Sequence, residues 1–264
     1  MIVVKIGGRD GNDHANLVAG LAGIHPCVVV HGGSTAVDEL AAQLGRPARV
    51  LTSPSGFTSR HTDGFMIDVV SMAMAGRLNV NLVSALQAAG IPAIGLSGVD
   101  GRLVVGRRKA AIRAVEGGKV KVIRDDRSGT VDSVNAALLT NLLSRGLLPV
   151  LSPPILDGVE GIPLNADADR IAARVATSMS AEALILLTNV PGLLLDSNDS
   201  SSLRTAVSRE ELPATISASS AGMKKKLLAA QEALDGGVRR VIIADSRNAD
   251  PVRSALRGEG TVIA

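Results

Sequence analysis

Short, nearly continuous apolar runs alternate along the chain with longer stretches in which apolar positions recur at helical spacing. The runs fall at 1–6, 27–31, 91–96, 147–151, 183–187, 238–244 and 261–263. The periodic stretches fall at 12–23, 34–44, 63–75, 78–89, 132–145, 167–179, 222–235 and 251–256. A run that is apolar at every position is a strand buried on both faces. Its alternation with helices predicts an α/β fold, a three-layer αβα sandwich around a mainly parallel central sheet. Ser34 is a candidate N-cap and Gly45 closes the helix it opens. Residues 54–62 read as a loop rich in Ser, Thr and Gly, and 193–212 as a polar loop with a short element in it. Between 101 and 131 the rhythm shortens to alternating segments broken by glycines and charges, which predicts two or three short antiparallel strands projecting from the sheet. Prolines concentrate near 152–164, so two lobes, 1–155 and 156–264, are expected to share one continuous sheet.

Composition narrows the function classes. With 264 residues and 46% hydrophobic content the chain has ample material for a core. No apolar run reaches the roughly 18 residues that span a bilayer, and the first residues read as a core strand, so neither a membrane span nor a targeting segment is expected. A single cysteine, Cys27, lies inside a strand pattern, which suits a buried inert thiol in a reducing cytoplasm. The net charge of +3 hides a local excess, because 102–127 holds nine Lys and Arg against Glu116, Asp125 and Asp126. Trp and Tyr are absent and Phe57 and Phe65 are the only phenylalanines, so stacking platforms for single-stranded nucleic acid are missing.

The chemistry concentrates where strands end. A lysine is expensive to bury, so Lys5 inside the first strand is expected to face an anion. Gly7 and Gly8 follow it, and Gly32 and Gly33 follow the strand ending at His31. Backbone without Cβ atoms can approach a ligand closely and turn amides onto phosphate oxygens. Neither turn is a Walker A loop, and no G-x-G-x-x-G opens a helix. Leu164-Asn165-Ala166-Asp167-Ala168-Asp169 precedes a helix, where Asp167 is either a cap or a carboxylate that orients lysines. Thr188-Asn189-Val190-Pro191-Gly192-Leu193 ends the most apolar strand, the edge where ligands of parallel sheets collect. Gly222-Met223-Lys224-Lys225-Lys226 puts cations at a helix N-terminus, against the dipole, as a compensating anion would require. Arg60 suits carboxylate recognition. His31 and His61 lack metal-ligand spacing and no Cys/His cluster occurs, so no metal site is assigned.

Taken in order, Val4-Lys5-Ile6-Gly7-Gly8, His31-Gly32-Gly33, Asn165-Ala166-Asp167, Thr188–Leu193 and Gly222–Lys226 resemble the motifs of the amino-acid kinase family, nearest its acetylglutamate-kinase branch. Leu51-Thr52-Ser53-Pro54, Thr58–Asp63 and Gly101–Lys109 resemble the members that phosphorylate aminoadipate carried on LysW, a small acidic amino-group carrier protein. The resemblance implies ATP with Mg as phosphoryl donor, Lys5 and Lys226 as lysines stabilising the transferred group, and Asp167 as the aspartate organising them. It implies Gly7, Gly8, Gly32 and Gly33 around the phosphoryl group, with Gly32, Gly33, Arg60 and Asn165 at the substrate. Thr188, Asn189, Val190, Gly192, Leu193, Gly222 and Met223 would form the ATP pocket. Pro163 stands at the first Asn of the family's N-x-N-x-D pattern, and Ser34 at the third Gly of H-G-G-G. The basic stretch, with Arg107, Arg108, Lys109, Arg113, Lys119, Lys121, Arg124 and Arg127, would steer an acidic carrier. A homodimer is the family expectation. Three activities stay open at this level: kinase of carrier-linked aminoadipate or glutamate, kinase of free N-acetylglutamate, and non-catalytic regulator binding a nucleotide or amino acid.

Overall fold

The structure is a computed structural model and describes residues 1–54, 56–196 and 199–264. Ser55, inside the loop expected over 54–62, and Ser197 and Asn198, inside that expected over 193–212, lie outside the described residues.

An eight-stranded sheet runs through the molecule in the order Ala206–Val207, Thr261–Ile263, Arg240–Asp245, Ala183–Thr188, Ile2–Ile6, Cys27–His31, Leu148–Ser152, Ala93–Ser97. Neighbours are parallel except Arg240–Asp245 against Thr261–Ile263. Side chains alternate across the sheet, and each face has its own core. Val3, Val28, Val30 and Leu186 pack with Ile171, Ala172 and Val175 of helix Ala168–Ser178 and with Leu227 and Ala230 of helix Ala221–Asp235. Ile2, Val4, Ile6, Cys27 and Val29 pack on the opposite face with Leu17, Leu82, Leu86 and Val252. The same alternation puts Lys5 on the face of Val3, under helix Ala168–Ser178, and His31 on the face of Val29. The first strand therefore holds the centre of the sheet between two partners, Ala183–Thr188 and Cys27–His31.

Three expectations change. The helices expected over 63–75 and 78–89 form one 25-residue helix, Gly64–Ala88, whose middle, Ser71–Leu78, winds as a π-helix. It is long and apolar enough to cross a bilayer by length and composition. It carries Asp68 and Arg77, however, and Ile67, Val70 and Met74 pack on Val37 and Ala41 in a third core cluster. The loop expected over 54–62 contains the second arm of an antiparallel hairpin, Val50–Thr52 against Thr58–Arg60. Four projecting strands, not two or three, occupy the basic stretch: Val104–Arg108 pairs Gly129–Val134, and Ile112–Glu116 pairs Lys119–Ile123.

Candidate active site

The carboxyl ends of the central strands open on a cleft of about 1920 Å³. Lys5 is 5% exposed at its floor. Its Nζ lies 2.6 Å from Asp169 Oδ1, and Nζ of Lys226 lies 3.1 Å from Asp169 Oδ2. One carboxylate thus bridges two ammonium groups from opposite ends of the chain. Burial, the largest single influence on the Asp169 carboxyl, pushes it up, but the charges and hydrogen bonds of the two lysines together hold it below the usual carboxylate range. Burial, and then the charge of Lys5, push Lys226 down from an ordinary lysine; Asp169 opposes them without reversing the direction.

The aspartate expected to organise the lysines was Asp167, and the structure gives that place to Asp169. Asp167 is the N-cap of helix Ala168–Ser178, its Oδ1 accepting the Asp169 amide at 2.8 Å. A cap side chain folds back onto the first turn. The residue two positions later turns inward to the first strand. Read in this register, Asn165-Ala166-Asp167-Ala168-Asp169 meets the N-x-N-x-D pattern at its first and last positions, with Asp167 in place of the second Asn. Pro163 lies outside it, in the short strand Pro163–Leu164.

The glycine turns meet in the cleft. A Cβ on Gly8 would sit 2.0 Å from Gly33 N, so only glycine permits this approach. The four amides do not share one role. Gly7 N–H donates to Leu187 O and Gly32 N–H to Ile6 O, each at 3.1 Å, continuing the sheet ladder. Those of Gly8 and Gly33 have no acceptor among the described residues, and they are the donors left for an anion beside Lys5. Gly7 and Gly32 line the cleft without offering their amides to it.

Arg60 and Asn165 face the same space. The Arg60 guanidinium donates to Asp38 Oδ1 (Nη2 at 2.7 Å, Nε at 2.9 Å) and to Ser34 O at 2.9 Å, leaving Nη1 without a partner among the described residues. Asn165 Nδ2 donates to Thr62 Oγ1 at 3.1 Å. At the other end Thr188, Asn189, Val190, Leu193, Gly222 and Met223 line the cleft, whereas Gly192 backs onto Thr261. Lys225 Nζ reaches Thr58 O at 3.3 Å and Lys224 lies over the Phe57 ring, so the two walls touch across the mouth.

Of the basic residues, Lys109 and Arg113 line the cleft. Arg107 pairs with Asp132, Arg108 with Glu160 and Lys121 with Glu116. Lys119 and Arg124 are exposed on the outer hairpin and the turn after it. His61, Asp63 and Asp125 bring their ligand atoms within 4.8 Å of one another, which their spacing did not suggest. Each is already engaged: His61 with Asp125, and Asp63 with Arg46 and the Met66 amide. Cys27 is fully buried, and burial pushes its thiol up to about 12. Sequence reasoning missed Asp38, whose signal was a carboxylate one helical turn after Ser34.

A buried lysine pair bridged by one carboxylate lies beside free glycine amides at the carboxyl edge of the parallel sheet, and the chain belongs to the amino acid kinase family, whose model matches residues 1–245. Among curated relatives, the LysW-aminoadipate kinase of Thermus thermophilus is 48% identical over 269 residues, covering 100% of both chains. That of Deinococcus radiodurans is 46% identical over 100% of this chain and 91% of its own. N-acetylglutamate synthase from Neisseria gonorrhoeae superposes on the whole chain with a TM-score of 0.78 at 25% identity, the chain spanning 59% of that protein. Isopentenyl phosphate kinase shares the fold, with a TM-score of 0.64 at 18% identity and full coverage of both.

Proposed function

We propose that this protein transfers the γ-phosphoryl group of ATP to the side-chain carboxylate of α-aminoadipate, or of glutamate, held through its amino group on a small acidic LysW-type carrier. The observation that carries this reading is Asp169 holding Lys5 and Lys226 together on the cleft floor beside the Gly8 and Gly33 amides. Such a set neutralises charge on a transferring PO₃ unit, which is what phosphoryl transfer asks of a protein. A carboxylate acceptor is ionised at neutral pH, so the reaction needs no general base. The site accordingly offers cations and amides to the cleft. Lys5 comes from the 1–155 side and Lys226 from the 156–264 side, and held together by Asp169 both ammoniums meet the charge of a group transferred in line between the two. Magnesium enters with the nucleotide as part of the substrate, and the product is an acyl phosphate.

The arrangement of the walls supports the rest. Residues 1–155 supply Arg60, Ser34 and the basic projection for the carried substrate, and 156–264 supply Thr188–Asn189 and Gly222–Met223 for ATP. Lys109 and Arg113 at the cleft, with Lys119 and Arg124 exposed on the projection, give this side of the molecule a local excess of positive charge. A free acetylated amino acid has no use for such an excess, while an acidic carrier does. The Thermus and Deinococcus relatives are named for aminoadipate, and one from Metallosphaera sedula, 39% identical, for both aminoadipate and glutamate. The working form is a homodimer, which sedimentation tests. The deciding experiment measures ADP release, with hydroxylamine trapping of the acyl phosphate, on carrier-linked aminoadipate, carrier-linked glutamate and free N-acetylglutamate. Turnover of a carrier-linked substrate alone is expected. Equal turnover of free N-acetylglutamate, or binding of ATP without any ADP release, refutes the reading.

A further inference from the structure

We infer that His31 is a positioning residue that aims the Gly33 amide at the transferred phosphoryl group, and that Asn79 fixes the imidazole tautomer that allows it. The inference rests on the phosphotransfer reading above. His31 ends the strand Cys27–His31 on the face opposite Lys5 and is 1% exposed. No step of the reaction uses it. Its Nδ1 lies 2.9 Å from Gly32 O, and its Nε2 lies 3.1 Å from Asn79 Nδ2.

Counting protons settles the direction of each bond. Asn79, buried where the helix Gly64–Ala88 leaves its π-helical segment, has two amide hydrogens. One goes to Val150 O at 3.0 Å, and the other points at His31 Nε2. Nε2 must therefore accept, Nδ1 carries the proton, and Nδ1–H donates to Gly32 O. The Gly32 carbonyl and the Gly33 N–H belong to one peptide unit, which is trans and planar, so they point in opposite directions. Pulling Gly32 O toward the imidazole turns the Gly33 N–H away from it, into the cleft, where no protein acceptor awaits it among the described residues. The surroundings leave the loop little freedom. A Cβ on Gly33 would lie 2.6 Å from Leu78 Cδ1 and 2.8 Å from Met74 Cγ, both on the π-helical segment. Space for Asn79 is made by Gly95 in the edge strand, where a Cβ would fall 1.9 Å from Asn79 Oδ1. Burial, outweighing the opposing bond to Gly32, pushes the imidazole down to about 4, so it stays neutral through the physiological range.

The test compares His31→Asn with His31→Leu. Asparagine places an amide donor where Nδ1–H was; leucine fills the volume but donates nothing. The aim of the amide predicts that His31→Leu loses at least about tenfold in kcat, toward the roughly 10²–10³-fold that removal of an oxyanion-hole donor costs. Its KM for ATP and for carrier-linked substrate should stay within about threefold. His31→Asn should keep the greater part of kcat although it is the less stable of the two in thermal melts. A merely structural histidine predicts the opposite ranking, with activity following stability and leucine the better variant, and that result overturns the proposal. A second measurement needs no variant: ¹⁵N-histidine NMR of the native protein should show His31 as the Nδ1–H tautomer, and an Nε2–H tautomer sinks the proposal. Failure of the phosphotransfer reading itself is distinct, because the native protein would then release no ADP.

Discussion

Replacing Asp169 with asparagine preserves its shape and deletes the charge on which two lysines converge. Because both ammoniums touch one carboxyl group, they are roughly 5–6 Å apart, and at an effective dielectric of about 20 their mutual repulsion is about 3 kcal/mol. That is about a hundredfold if it falls wholly on the transition state. Removing one member of a buried ionic set also costs about 3–5 kcal/mol of stability, since the remaining charges lose their partner. The variant should therefore melt well below the native protein, and its kcat should fall about 10²-fold or more. ATP affinity should hold or tighten, because the triphosphate becomes the counter-charge of the lysines, and saturating ATP should restore most of the lost melting temperature. The assays are ADP release at saturating carrier-linked substrate, calorimetric titration with ATP, and thermal melts with and without nucleotide. Asp167→Asn is the matched control. Asparagine caps a helix as well as aspartate does, so kcat should stay within about fivefold of native. If Asp167→Asn proves the more damaging, the assignment of the bridging carboxylate fails.

Further outcomes follow from the same geometry. Gly8→Ala forces a methyl group to within 2.0 Å of Gly33 N and should abolish turnover by parting the two loops, which ADP release at matched folded concentration will register. Reversing the charge of Lys109, Arg113 and Lys119 together should raise KM for carrier-linked substrate about tenfold at low salt and leave KM for ATP unchanged; a parallel rise for ATP refutes steering. Lys226 is held below an ordinary lysine by burial and by Lys5, so kcat should decline on the alkaline side before pH reaches the free-lysine value of about 10.4. The sign for stability is opposite: the fold favours the neutral amine relative to the unfolded chain, so this group adds stability as pH rises, and activity should be lost before the fold is. An alkaline limb that coincides with unfolding contradicts that order.

The strand lysine, the paired glycines and the basic helix start were legible because each breaks a local rule: a charge in an apolar run, doubled glycine after a strand, cations at a positive helix end. The choice between Asp167 and Asp169 was not, because a cap and a first-turn carboxylate look alike in sequence. Only the packing of helix Ala168–Ser178 on the sheet decides which one turns inward. The continuous helix Gly64–Ala88 was hidden by its π segment, which shifts the apolar period in mid-course near Gly76. The hairpin around Val50–Arg60 was hidden because three-residue arms carry too little alternation to register. A long-range partner such as Asn79 for His31 carries no local signal, since a helix and a strand far apart in sequence bring the two together.

The place of the first strand bears on how the protein is made. Residues 2–6 are made well before one of their two hydrogen-bonding neighbours, Ala183–Thr188, which is translated some 180 residues later. Until then an apolar strand edge stands open in the middle of what will become the sheet, a surface that invites pairing with other chains. Severing the polypeptide near residue 155 would make that exposure permanent in the amino-terminal piece, so the two pieces should recover as a complementing pair and aggregate when expressed apart.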